Sequence, residues 1–151
     1  MPDRVACGLA VLAALVLAGS ASATRPVVDH VPATMPSAGF TITGCCSFRP
    51  PASTKGVLAE RRALTIARKY AGVNWRQPAL LLARLVGPVT VGIGTSRIRT
   101  LHNPTTWLAT FEARKPVRLG IPPGGEGPLM RHFSVALDAR TGDFIRGFYT
   151  L

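Results

Sequence analysis

The chain has 151 residues and carries 18 Lys and Arg against seven Asp and Glu, which gives a formal net charge of +11 at pH 7. This length supports one domain with one modest core. The positive charge favours polyanionic partners, although a GC-rich genome by itself also enriches a sequence in arginine.

Residues 1–23 have the features of a bacterial secretion signal. Arg4 precedes an apolar segment from Val5 to Leu17, and Ala21 to Ala23 form a small-x-small cleavage site. An uncleaved membrane anchor is the alternative, but the polar, proline-rich sequence that follows favours cleavage before Thr24. No later segment is long and apolar enough to span a bilayer. We therefore expect a secreted or extracytoplasmic envelope protein without a transmembrane segment in the mature chain.

Residues 24–52 contain five prolines and little apolar periodicity. This composition is typical of a flexible, extended leader. Only residues 39–43 alternate between apolar and polar side chains, and they predict one short edge strand. The domain proper is then expected to cover residues 53–151.

Cys45 and Cys46 are adjacent in this leader. Export permits disulfide formation, but Cα atoms of neighbouring residues lie about 3.8 Å apart, which is below the usual disulfide range. A bridge between the two neighbours, an intermolecular link and two free thiols all stay open. Adjacent cysteines also fit poorly on two corners of a tetrahedral metal site.

The firmest local signal is an amphipathic helix over residues 57–71. Its apolar positions recur with helical spacing from Ala59 to Tyr70. Ser53 or Thr54 is the expected N-cap. Gly72 suits the left-handed position just after the helix, and Pro78 excludes its continuation.

After the helix the pattern changes to short apolar runs separated by turn residues. Strands are expected at residues 80–86, 89–93 and 106–113, and Arg97 and Arg99 are expected on one face of a strand between the last two. An exposed Pro- and Gly-rich loop follows at 116–128. The chain ends in a hairpin formed by residues 132–138 and 144–149. Its turn is built by Asp138, Thr141 and Gly142.

One helix followed by antiparallel strands predicts an α+β fold, with the helix packed on one face of a twisted antiparallel sheet in two layers. Residues 57–151 resemble a PepSY domain, a small cystatin-like module. The resemblance rests on the helix Ala63–Tyr70, the strand Thr106–Phe111 and the hairpin Val135–Ile145. The long segment between Val73 and Leu101 departs from the pattern and leaves the number and order of strands open.

The PepSY resemblance implies a non-catalytic module. Such domains occur in propeptides of thermolysin-type metalloproteases, where they inhibit or assist folding, and they also occur alone in envelope proteins. The residues themselves also show no catalytic constellation. His30, His102 and His132 are scattered, no carboxylate pair is evident, and no phosphate-binding glycine loop carries the required lysine. We expect no enzymatic activity, no metal and no cofactor.

The charge, the export signal and the resemblance together favour two functions. The first is a secreted, non-enzymatic binding or regulatory module that contacts a peptidase or another envelope protein. The alternative is a basic envelope-associated domain that binds anionic cell-wall polymer or lipid head groups; nucleic acid is disfavoured after export. The candidate contact residues are Trp75, which follows the helix among polar neighbours, and two basic groups: Arg97, Arg99, Arg114, Lys115 and Arg118.

Overall fold

A computed structural model of the chain describes residues 24–92, 97–118 and 127–151. The predicted secretion signal and most of the predicted loop at 116–128 lie outside the described residues. Among the residues that are described, no helix is long and apolar enough to cross a membrane.

The described chain contains nine strands and one helix. In chain order they are β1 (Val27–Val28), β2 (Phe40–Ile42), β3 (Cys46–Arg49), α1 (Glu60–Ala71), β4 (Trp75–Leu85), β5 (Pro88–Val91), β6 (Arg99–His102), β7 (Thr105–Arg118), β8 (Leu129–Asp138) and β9 (Phe144–Thr150). Seven strands form one sheet in the order β1-β2-β3-β4-β7-β8-β9, while β5 and β6 form a separate antiparallel ribbon. In the large sheet β1 runs parallel to β2, and all other neighbours are antiparallel.

The predicted fold class, one helix on an antiparallel sheet in two cystatin-like layers, is wrong. The molecule is mostly β, with a mixed seven-stranded sheet and a single helix of 12 residues. The physical reason lies in the central strands, which are apolar on both faces. Trp107 and Ala109 of β7 belong to one buried cluster, whereas Leu108 between them belongs to another. A sheet with two apolar faces needs a cover on each of them.

Helix α1 covers the first face. Ala63 and Ala67 are fully buried against a cluster that includes Trp107, Phe111 and Val135. The small alanine side chains allow the helix to lie close to the sheet. The indole Nε1 of Trp107 donates a hydrogen bond of 3.0 Å to the carbonyl oxygen of Leu58, and this bond fixes the chain just before the helix.

The segment predicted to be a flexible leader covers the second face. Phe40 and Phe48 are fully buried there, with ring centroids 5.1 Å apart. They pack in one cluster with Leu85, Leu108 and Phe148 of the central sheet. The strand expected near residues 39–43 is β2, but β1 pairs outside it, so β2 is not the edge.

The helix ends where the sequence predicts and begins later. It stops before Gly72, which has φ +76°. It begins at Glu60, because Ala59 at the N-cap position has ψ 143° and is not helical; Ala59 makes no side-chain capping hydrogen bond. Leu58 just before it donates its N–H to the carbonyl of Ala139, beyond the end of β8, at 2.7 Å. The hydroxyl of Ser53, predicted to cap the helix, accepts a bond from the N–H of Lys55 instead.

The turn between β8 and β9 is closed by the Asp138 carboxylate. Its Oδ1 accepts hydrogen bonds from the backbone N–H groups of Arg140 and Thr141 at 2.8 and 3.3 Å. Gly142 has φ +80°, and a Cβ placed there would lie 2.6 Å from Cδ1 of Ile66 on the helix. Glycine is therefore required both by the backbone and by the close approach of α1.

Candidate functional site

The basic residues singled out in the sequence do not gather into one patch. Arg99 lies on β6, which comes just before the first residues of β7 in the chain. Arg118 is the last residue of β7. A strand of 14 residues spans roughly 40 Å. Arg97 lies next to β6 and is exposed, and Arg114, Lys115 and Arg118 are exposed along the distal part of β7.

Arg99 has a structural role. Its guanidinium donates to Asp138 Oδ2 at 3.3 Å, to Thr141 Oγ1 at 3.0 Å and to Asp143 Oδ2. These bonds tie the β5–β6 ribbon to the turn between β8 and β9. With two carboxylates beside it, Arg99 is already neutralised and is a poor candidate for contacting an anionic partner.

Trp75 is not an exposed contact residue. Its ring packs against Phe133 and Tyr149, with centroids 5.5 and 5.9 Å away, and it borders the helix-covered core. The side chain is half-buried and extends the core toward one end of the sheet.

Cys45 and Cys46 are joined by a disulfide bond at the tip of the β2–β3 hairpin. Of the three states that the sequence leaves open, the structure has the bridge between neighbours. Arg146 of β9 reaches this tip, with Nη1 3.5 Å from the carbonyl oxygen of Cys45.

A different set of arginines converges at the junction of β3, β4 and the N-terminal segment. They line an open groove of about 660 Å³, called here the arginine groove. Its lining contains three arginines and no acidic residue: Thr24, Arg25, Ser37, Ala38, Arg49, Pro50 and Arg84.

Among the described residues, no acidic side chain forms an ion pair with the three guanidinium groups of the groove. Arg49 and Arg84 are directly opposite each other in the β3–β4 register, an arrangement in which like charges destabilise a sheet. Nη1 of Arg25 is buried and has no hydrogen-bond partner. Within the described part of the chain, both salt bridges belong to Arg99. A buried donor without a partner costs about 1–3 kcal/mol.

The N-terminal segment packs closely against the backbone at the end of β3. Gly39 has φ +76°, and a Cβ on it would lie 2.0 Å from the carbonyl oxygen of Phe48 and 2.9 Å from Cα of Arg49. Its N–H donates to the carbonyl of Pro36 at 2.9 Å, which closes a tight turn. This turn places Ser37 in the wall of the groove beside the end of β3.

Arg25, Arg49 and Arg84 were not among the residues predicted from the sequence to form a site. They lie far apart along the chain, and only the β3–β4 pairing brings the last two together. The sequence offered only a local signal. Arg49 follows the apolar Phe48, and Arg84 precedes the apolar Leu85. Because successive side chains of a strand point to opposite faces, each arginine is on the face opposite to that of its apolar neighbour.

No protein-family model, curated protein or solved structure matches the chain. The resemblance to PepSY domains therefore stays a hypothesis that rests on the quoted helix, strand and hairpin.

Proposed function

We propose that the protein is a non-enzymatic binding module of the bacterial cell envelope, and that its ligand carries phosphate or similar oxyanions on a cell-wall polymer or a lipid head group. One observation carries the proposal. The arginine groove holds Arg25, Arg49 and Arg84 without an acidic counterion, and one buried donor of Arg25 has no partner.

The chemistry of the guanidinium group favours this class of ligand. Its planar fork donates two parallel hydrogen bonds to a phosphate or carboxylate. Three such groups around one groove suit a ligand with several oxyanion oxygens. The groove is open rather than enclosed, so a segment of a polymer or a lipid head group has access to it.

The overall charge supports the same ligand class. A net charge of +11 attracts polyanions over a distance set by the salt concentration. Exposed arginines elsewhere contribute to this attraction without forming a site. The specific contribution of the groove is thus separable from that of the general charge.

A binding assay with matched charge changes tests the proposal. The Arg49→Gln, Arg84→Gln double variant removes two charges from the groove. The control is Arg61→Gln, Arg62→Gln, which removes two exposed charges from α1. Retention is measured on vesicles with anionic or neutral phospholipid, and on wall polymer before and after removal of its phosphate groups.

We expect the groove variant to bind at least about tenfold more weakly, equivalent to about 1.4 kcal/mol. The control should bind only slightly more weakly than the wild type, because it loses general charge alone. Equal losses in both variants would mean that only general charge acts, and the proposal would be wrong. Preference for vesicles or for polymer identifies the source of the oxyanion. Retention of an acidic envelope protein instead would favour the regulatory hypothesis, such as a peptidase partner.

A further inference from the structure

The disulfide bond at the tip of the β2–β3 hairpin contributes little to holding the fold together. It joins two neighbours, Cys45 and Cys46, and so closes the smallest loop that a disulfide can close. The stabilisation from a crosslink grows with the length of the closed loop, so this bond constrains the unfolded chain least. The hairpin also has its own hydrogen bonds, from the N–H of Cys45 to the Ile42 carbonyl at 3.1 Å and between the hydroxyls of Thr41 and Ser47 at 2.8 Å. Holding the hairpin closed therefore does not account for the bridge.

A cation lies beside one of the two sulfur atoms. Nη1 of Arg146, an exposed residue of β9, is 3.9 Å from Sγ of Cys45. Within residues 24–92, 97–118 and 127–151, no hydrogen bond joins Arg146 to Cys46, and both salt bridges belong to Arg99. The two cysteines are half-buried, so the bridge borders solvent as well as the core. The bridge is thus accessible and electrostatically asymmetric.

This asymmetry has a chemical consequence for thiol–disulfide exchange. In that reaction a thiolate attacks one sulfur of a disulfide, and the other sulfur leaves with the electron pair of the broken S–S bond. A sulfur leaves faster when its negative charge is stabilised, and a neighbouring guanidinium stabilises a thiolate. Cys45 is therefore the better leaving group, and Cys46 is the sulfur at which attack is favoured.

We propose that the Cys45–Cys46 bridge is a thiol-oxidising site, at which a substrate thiolate attacks Sγ of Cys46 and Cys45 leaves as a thiolate beside Arg146. The first step forms a mixed disulfide between the substrate and Cys46. A second substrate thiolate then attacks the substrate sulfur of this mixed disulfide and releases Cys46 as a thiolate.

The two steps balance without a further reactant. Two substrate thiols become one substrate disulfide, and their two electrons reduce the bridge to two cysteine thiols. The protons lost by the substrate pass to solvent, from which the reduced cysteines take theirs. The reaction is one stoichiometric exchange per chain, and it does not depend on the arginine groove.

Reaction of the exported chain with 2-mercaptoethanol, a neutral thiol, tests the site. We expect one molecule of oxidised reagent per chain. Arg146→Gln should react about three- to fivefold more slowly, the factor expected for losing one charge 3.9 Å from the leaving sulfur at the dielectric constant of water. Arg146→Lys should recover most of the rate. Arg61→Gln removes one exposed charge from α1, which covers the other face of the sheet, and should react at nearly the wild-type rate.

A second measurement locates the attacked sulfur. The reaction is quenched with acid, the free thiol is blocked with N-ethylmaleimide, and fragmentation between residues 45 and 46 shows which cysteine holds the reagent. We expect the reagent on Cys46. A reduced peptide with two cysteines, used in place of 2-mercaptoethanol, shows whether a polypeptide or a small thiol reacts faster and so distinguishes the two sources of the thiol.

Three results would each overturn the proposal. The first is a bridge that 2-mercaptoethanol opens in urea but not in the folded chain. The second is an equal rate in Arg146→Gln and Arg61→Gln, and the third is a mixed disulfide on Cys45. Because Arg146 is exposed on a strand at the edge of the sheet, its variants should keep the wild-type circular dichroism spectrum, and this separates the electrostatic effect from a loss of fold.

Discussion

Replacing Arg84 by Gln should make the free protein more stable. Arg84 lies directly opposite Arg49 on the neighbouring strand, and neither side chain has an acidic partner among the described residues. Two unit charges about 6 Å apart at the dielectric constant of water repel by about 0.7 kcal/mol. This agrees with the range of about 0.2–1 kcal/mol known for directly opposed side-chain pairs in sheets. We expect the melting temperature of Arg84→Gln to rise by about 2–4 °C.

The sign should reverse when an oxyanion is bound. Pyrophosphate is a simple probe, and in its presence the wild type should gain more stability than Arg84→Gln, because the variant has lost one guanidinium contact. Thermal melts at low ionic strength, with and without pyrophosphate, measure both effects. Arg62→Gln on the exposed surface of α1 is the control and should change stability by less than about 0.5 kcal/mol.

Two results would refute this reasoning. If Arg84→Gln is less stable than the wild type without anion, the Arg49–Arg84 pair stabilises the fold. The two charges would then not repel each other in the free protein, and the groove would not gain by binding an anion. If pyrophosphate stabilises both proteins equally, the anion binds elsewhere. High salt provides an internal check, since at 1 M the Debye length is about 3 Å and the repulsion between the arginines should disappear.

Three further substitutions test the packing by urea denaturation. Gly39→Ala should lower the free energy of unfolding by about 3 kcal/mol or more, because the new Cβ meets the Phe48 carbonyl. Gly72→Ala is the control: it has a similar φ but open space around the new Cβ, and it should cost about 1 kcal/mol. Equal losses in the two variants would contradict the clash. Trp107→Phe should cost about 1–3 kcal/mol by leaving the Leu58 carbonyl without its indole donor, and a neutral result would refute that role. Phe48→Ala should cost about 3–5 kcal/mol; a loss below about 1 kcal/mol would mean that the N-terminal segment does not form core.

Local elements were predictable because their signals lie within a few residues. The end of α1 at Gly72 follows from helical spacing and a left-handed glycine. The strand predicted at 106–113 lies within β7, and the final pair β8 and β9 follows from alternation and from the turn residues between Asp138 and Gly142. The loop predicted from residue 116 is wrong at residues 116–118, because β7 continues through them to pair with β8. In the sequence, Pro78 predicts only that the helix does not continue. In the structure it lies within β4, where the register of the pairing with β7 shifts between Arg76 and Ala79.

The remaining parts depend on contacts between distant residues. Alternation at residues 39–43 predicts β2, but β3 has only four residues and gives no such signal among the prolines. The pairing of β2 with β3, and of β3 with β4, is therefore invisible in the sequence, and so is the buried role of Phe40 and Phe48. The arginine groove has the same origin, since it combines residues of the N-terminal segment with residues of the central sheet.

The position of residues 24–52 has a consequence for the order of folding. The ribosome makes this segment early, but its packing partners Leu85, Leu108 and Phe148 are made later, the last of them near the end of the chain. The segment therefore has no surface to dock on until β4, β7, β8 and β9 have paired. We therefore expect this segment to dock late in folding, and the arginine groove to be complete only once it has docked.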